Sequence, residues 1–281
     1  MMNTGANLAQ ALGHAADDRL LIVNCDDLGS SHGANVAIEA ALKDGLATSA
    51  TLMVPCPWAF DAVQRCAGLD IGVHLTLTCE YPGYRWRALT GAKSLHDDQG
   101  FMPATAEAVW ERADLADVRA ECRAQIDQAL AWGVDVTHLD AHMGTMQVDR
   151  RYFEIYVDLG AEYRLPLRMV GESGARRLGF AARDMAAARG VAFTDHFIAP
   201  PWGVTSRGTF VDRVPALRPG VSEIFLHPVK DGPELRGYDL EAAALRAADA
   251  EWVMEKDLRA LLAAFEVKTI SFRPLRELQR G

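Results

Sequence analysis

Short apolar runs rich in β-branched residues alternate along the chain with stretches whose apolar positions recur every three to four residues. Residues 20–24 read as a buried strand. Ser31 then offers an N-cap oxygen, and Val36, Ile38, Ala41 and Leu42 fall on one face of a helix that stops at Gly45. Strands are predicted at 48–54 and 71–77, around a helix at 58–66. Asp114 is placed to cap a helix carrying Leu115, Val118, Cys122, Ile126, Ala129 and Leu130 on one side and ending at Gly133. A strand follows at 136–140, with further helix and strand candidates at 152–163, 167–170, 178–189 and 191–195. Residues 221–226 read as another strand. Asp239 is predicted to cap the longest helix, reaching about Phe265, and 267–272 closes the series. Residues 78–105 carry Gly and Pro and follow no clear period.

Repeated βα units with near-continuous apolar strands imply a parallel sheet with helices outside it. Seven or eight such units in 281 residues suit one irregular TIM-like (β/α) barrel with mostly parallel strands. A doubly wound open sheet is the alternative. Residues 1–18 read as a flexible tail and 19–281 as a single domain, with no repeat or interdomain linker. Both architectures gather ligands at the carboxyl ends of the strands. The polar residues there are Asp26 and Asp27, His74, His142, Asp195 with His196, and His227.

Charge and composition narrow the partners. A formal net charge of −9 with no basic stripe argues against nucleic acid and leaves neutral or cationic small molecules open. No stretch approaches the ~20 apolar residues of a membrane span. The five cysteines form an odd set without a C-x-x-C pair, and the amino-terminal stretch lacks a basic region before an apolar core. Reduced thiols in a cytoplasmic protein are therefore expected. A G-x-S-x-G elbow and a P-loop are both absent.

Asp26-Asp27 is the sharpest feature. Two adjacent carboxylates repel unless a cation or a proton separates them, so one metal ligand and one general base is the functional reading. A turn or N-cap pair before Gly29 is the structural one. His74 lies inside an apolar run, where a lone histidine is more often a satisfied core residue. His138 and His142 are four apart on an extended segment, which separates them by roughly 13 Å at ~3.3 Å per residue. One metal cannot take both. His142, nearer the strand's carboxyl end, is the better ligand, and His138 is read as structural. Asp140 is placed to orient a neighbouring histidine from behind. The 78–105 loop carries Tyr81, Tyr84, Trp86 and Phe101, whose flat faces suit either sugar stacking or the loop's own packing.

Together these segments resemble the YdjC-like (chitooligosaccharide or hopanoid-type) deacetylase family. The matching stretches are V-N-C-D-D-L-G at 23–29, A-T-S-A-T-L-M-V at 47–54, G-V-H-L-T-L-T at 72–78, T-H-L-D-A-H at 137–142 and the H-P pair at 227–228. R-W-x-x-L-T at 85–90, E-Y-R-L-P-L-R at 162–168 and the helix near Arg246 to Trp252 add to the likeness, which spans roughly residues 20–275. Cys25 stands where the family usually has Ala, and Met143 to Met146 replace further histidines.

The resemblance implies a metal-dependent N-deacetylase acting on a small N-acetylated sugar. Asp27, His74 and His142 would hold one divalent metal, Asp26 would act as base, and His227 would assist the leaving nitrogen. Tyr84, Trp86 and Arg168 are expected to bind substrate. Zinc is favoured by the imidazole donors, and magnesium stays open. A homo-oligomer is compatible with the sequence. Competing readings are another metal-dependent barrel hydrolase, such as a phosphoesterase, and a sugar-binding protein without turnover.

Overall fold

The computed structural model describes residues 8–281, apart from the side chains of Glu172 and Ser173. Seven parallel strands form one sheet: β1 (Arg19–Leu28), β2 (Ser49–Leu52), β3 (Ile71–Leu75), β4 (Leu139–Ala141), β5 (His196–Ile198), β6 (Gly220–Leu226) and β7 (Val267–Thr269). Their order is β4-β3-β2-β1-β6-β5. β7 pairs with the first three residues of β1, and β2 with its later part. Parallel bridges from Leu139 to Leu167 and from Leu167 to Phe193 carry the curled sheet on from β4 towards the segment that leads into β5. Helices surround it, giving an irregular TIM-like α/β fold.

A side-chain period of two decides what faces inward. On β1, Leu21, Val23 and Cys25 pack outward in the main core with Ala34 and Ile38 of the helix His32–Lys43. Leu20 and Ile22 face the other way, in a small cluster with Val221, Ala9, Phe272 and Leu275. That cluster plugs the amino-terminal end of the barrel. Further along the same face come Asn24 and Asp26, and on β6 the register continues from Val221 through Glu223 to Phe225. The inward face thus changes from apolar to polar towards the carboxyl ends of the strands.

His138 marks the boundary. Its ring stacks on Phe272 at 3.7 Å between centroids, and a Cβ at Gly72 would lie 2.6 Å from that ring. Glycine is required at 72 because the histidine occupies its side-chain space. Burial pulls the His138 imidazole well below its ordinary pKa, as expected of a neutral core ring.

Local sequence signals explain several element boundaries. Ser31 accepts from Ala34 N and caps His32–Lys43, and Asp114 accepts from Ala116 N and caps Leu115–Ala131. Three expectations change. The helix expected from Asp239 to Phe265 is divided into Ala243–Trp252 and Asp257–Ala264, and Asp239 follows the short helix Pro233–Tyr238. Asp239 still accepts from Ala242 N ahead of Ala243–Trp252 and also holds Arg246, and the longest helix among the described residues is Leu115–Ala131. The segment 1–18, read as a tail, forms the helix Leu8–Ala11 with Ala9 buried, and Asp18 pairs with Lys268; residues 1–7 lie outside the described residues. The final strand ends at Thr269, and a helix, Arg273–Arg280, follows.

Candidate active site

A bulge in β1 aims two neighbouring acids at one place. Between Cys25 and Leu28 the register against β2 slips: three steps on β1 face two on β2. Asp27 takes up the extra residue with φ 64°, a left-handed conformation that costs roughly 1–2 kcal/mol for a residue with a Cβ. In a regular strand Asp26 and Asp27 would point to opposite faces. Here both line a cavity of about 1120 Å³ at the carboxyl end of the barrel.

Asp27 Oδ1 is buried and accepts no hydrogen bond. It lies 3.3 Å from His142 Nδ1 and 3.5 Å from His74 Nε2. Donors each ~2.1 Å from one ion stand roughly 3.0–3.5 Å apart, so these three atoms suit a shared divalent cation. Each imidazole is held from behind by a carboxylate. Asp140 Oδ2 is 2.8 Å from His74 Nδ1, and Glu80 Oε2 is 3.0 Å from His142 Nε2. Burial disfavours a charged ring, but Asp140 and Asp27 outweigh it and push His74 up to about 9. Glu80 and Asp27 likewise outweigh burial and raise His142 well above its ordinary value. The cluster therefore draws positive charge onto the two rings, as protons or as a cation bound to their inner nitrogens.

Asp26, His74 and Asp140 form a second group with ligand-type atoms close together. A cation already occupies that place. Arg168 clamps Asp26 with two bonds of 2.6 and 2.7 Å, and its guanidinium also meets Asp140 at 2.5 Å and Glu223 at 2.6 Å. Asn24 donates to Asp26 Oδ1 at 2.8 Å. The Asp27 group is the better metal site because no guanidinium stands at Oδ1.

Arg246 secures the other oxygen of Asp27 at 2.8 Å and joins it to Asp239 and the Tyr81 hydroxyl. His227 Nε2 lies 4.0 Å from Asp26 Oδ2. Edge contacts with Phe225 and Trp202 hold its ring, and burial pulls its pKa below the ordinary imidazole value.

The structure thus brings Asp26, Asp27, His74, His142, His227 and Arg168 to one cavity, with Asp140 behind His74. It does not bring Tyr84 or Trp86 there. The Tyr84 hydroxyl donates to Ser30 O, the Trp86 indole donates to Thr78 O, and both rings pack against Tyr81. Tyr81, Tyr238 and Trp202 supply the aromatic lining instead. Arg168, expected to bind substrate, has its donors committed to three buried carboxylates. Asp195 and His196 stand at the start of β5, away from the cavity, where Asp195 accepts from Val221 N and His196 is close to Pro219 O and Arg218. Glu80, Arg246, Glu223 and Asn24 were missed. Asn24 and Glu223 are legible only once strand parity is known, whereas Glu80 and Arg246 come from a loop and a mid-helix position.

His142→Ala is expected to weaken cation binding by at least about tenfold, whereas His138→Ala should leave it intact and lower stability. Competition with a chromophoric chelator measures the first effect and thermal melting the second. Retained affinity in His142→Ala would remove that residue from the cation site.

Residues 20–264 match the model of the YdjC-like protein family. The chain belongs to this family. It is 34% identical to a carbohydrate deacetylase of Thermus thermophilus, over 92% of this chain and 94% of that protein. A carbohydrate deacetylase 1 of Listeria innocua is 29% identical over 91% of this chain and 99% of its own length. The fold of this YdjC-like chain also matches a crystal structure from Enterococcus faecalis, of a protein named for cellobiose-phosphate cleavage. There the TM-score is 0.79 at 22% identity, covering 92% of this chain and 99% of that one.

Proposed function

We propose that this protein is a metal-dependent hydrolase that removes the acetyl group from the nitrogen of an N-acetylated amino sugar or short oligosaccharide. One observation carries the reading: Asp27 Oδ1, buried and without a hydrogen bond, faces two imidazole nitrogens at the floor of a cavity that also exposes Asp26 and His227. The names of the relatives support the sugar and the acetyl group. Two imidazoles and a carboxylate favour zinc over magnesium.

Asp27, His74 and His142 would hold a divalent cation, which would supply Lewis-acid activation of water and of the acetyl carbonyl. Asp140 and Glu80 fix the orientation of the two rings, and Arg246 keeps the second Asp27 oxygen turned away from the donor set. Asp26 serves as general base. Three donors hold its carboxylate, two from Arg168 and one from Asn24, leaving acceptor capacity on Oδ2 for the attacking water's proton. His227, whose Nε2 lies 4.0 Å from Asp26 Oδ2, delivers a proton to the departing nitrogen. Tyr81, Tyr238 and Trp202 present flat faces for the sugar ring.

Acetate release from a panel of N-acetylated sugars, with and without added zinc after chelation, tests the reaction. A second readout separates the proton roles. His227→Ala should slow amides far more than activated acetate esters, whose leaving groups need no proton. In the unaltered protein the basic limb of kcat/KM should fall below the ordinary imidazole value of 6.5, because burial disfavours the charged ring. Equal slowing of amide and ester would assign His227 to holding substrate instead.

A further inference from the structure

We infer that Asp249, a buried carboxylate, is a positioning residue that holds the proton donor His227 in its place beside Asp26. This rests on the deacetylase reading and adds a residue to it. The strand ladders do not fix His227. Pairing of β6 with β1 ends at Cys25–Leu226 and pairing with β5 at Ile198–Ile224, so His227 stands one residue past the sheet. Pro228 steers it to extended backbone. The helix Ala243–Trp252 then grips the segment on both sides of it. Asp249 Oδ2 accepts from His227 N at 3.0 Å, and Arg246 O accepts from Val229 N at 3.1 Å. The same helix sends the Arg246 guanidinium to Asp27. One helix thus fixes a proposed cation ligand and the proposed proton donor together.

The other oxygen of Asp249 holds the segment that walls the ring. Oδ1 accepts from the Ser206 hydroxyl at 2.5 Å and from the Trp252 indole at 3.0 Å. Ser206 closes the stretch that carries Trp202, whose ring meets the His227 ring edge-on. A neutral acceptor would satisfy one amide. A buried carboxylate with donors on both oxygens ties the His227 backbone to the stretch beside it, and its charge favours the protonated ring. Asparagine at 249 offers one acceptor oxygen in place of two. Either the His227 amide or the Ser206 and Trp252 donors then face an NH2 group, and the grip on the imidazole slackens.

Asp249→Asn tests this on amide, ester and cation. For the N-acetylated sugar turned over fastest in the panel, kcat/KM should fall at least about tenfold, since an ångström of misplacement costs on the order of 10²-fold. Hydrolysis of 4-nitrophenyl acetate, whose leaving group needs no proton, should fall less than about threefold. Cation affinity should hold. Ser206→Ala removes a donor to Oδ1 and leaves the His227 bond, so it should lower the melting temperature without moving the amide-to-ester ratio. If Asp249→Asn does not fold, Asp249→Glu keeps the charge on a longer arm and should show the same amide-selective loss. Where there is turnover, amide and ester slowed equally, or neither slowed, overturns the proposal. Carbethoxylation of His227 by diethyl pyrocarbonate, read by peptide mass spectrometry, follows the ring without turnover. It should be several-fold faster in Asp249→Asn than in the unaltered protein. If the unaltered protein turns over no N-acetylated sugar, the deacetylase reading fails and this rate decides alone. A faster rate keeps Asp249 as the residue that holds the ring, and an unchanged rate removes it.

Discussion

Asp26→Asn is expected to lower acetate release by about 10²–10⁴-fold while the protein stays folded and keeps its affinity for a divalent cation. The substitution preserves shape and leaves an oxygen to accept from Arg168, which keeps Asp140 and Glu223 as counter-charges. What it removes is the group able to take a proton beside His227. Cation affinity and turnover are therefore predicted to separate, because the donor set is Asp27, His74 and His142. Kinetics, chelator competition and thermal melting on the same sample test this. Turnover within tenfold of the unaltered protein would mean that Asp26 is not the base. Loss of cation binding would favour the second group, in which Asp26 itself is a ligand with His74 and Asp140.

The contrast between Asp26 and Asp27 comes from one bulge. A strand without it would turn one of the two acids away from the cavity. With it, Asp27 leaves the alternation and presents Oδ1 to the histidines, while Asp26 keeps the inward parity of Leu20, Ile22 and Asn24 and meets Arg168. The sequence carries the pair but not the bulge, since D-D-L-G fits a strand end or a turn equally well. Strand parity was legible where runs were long: β1 and β6 each follow the expected apolar pattern, and the polar residues at their carboxyl ends reach the cavity. It failed at 191–195, where Phe193 makes a single bridge and the strand itself begins at His196. That shift puts His196 at the wrong end of β5 to join the site. Helical periodicity ran on from Asp239 to Phe265 because no Gly or Pro interrupts the sequence between Trp252 and Asp257, where the helix breaks. The last helix, Arg273–Arg280, opened by Pro274, lies beyond the strand at 267–272 with which the expected series ended. In the 78–105 loop, absence of a period left no basis for choosing Tyr81 over Tyr84.

Replacing Arg168 with methionine should destabilise the protein by about 3–5 kcal/mol at neutral pH, the cost of leaving buried charges without their partner. The site shows why the effect is large. Asp26, Asp140 and Glu223 are all buried and share this one guanidinium, which also lies over the Phe197 and Phe225 rings. Burial already pushes Glu223 up to about 7 from 4.5 even with Arg168 present. That group binds its proton more tightly when folded. Its stabilising contribution is complete below 4.5 and is lost as pH rises through about 7. Asp140 behaves oppositely: Arg168 and His74 overcome burial and hold it well below the carboxylate range. Without the guanidinium, Asp140 and Glu223 should be displaced upward in the folded state and take up protons on folding. The variant's deficit should therefore be greatest at and above neutrality and shrink as pH falls towards 5. Thermal melting should show a loss on the order of 10 °C at pH 7. Arg168→Lys, which keeps the charge without the two-pronged clamp, should recover part of the stability but little of the turnover, because Asp26 is no longer fixed in plane. A deficit in Arg168→Met that is the same at pH 5 and pH 8 would show that lost packing against Phe197 and Phe225, rather than uncompensated charge, sets the cost.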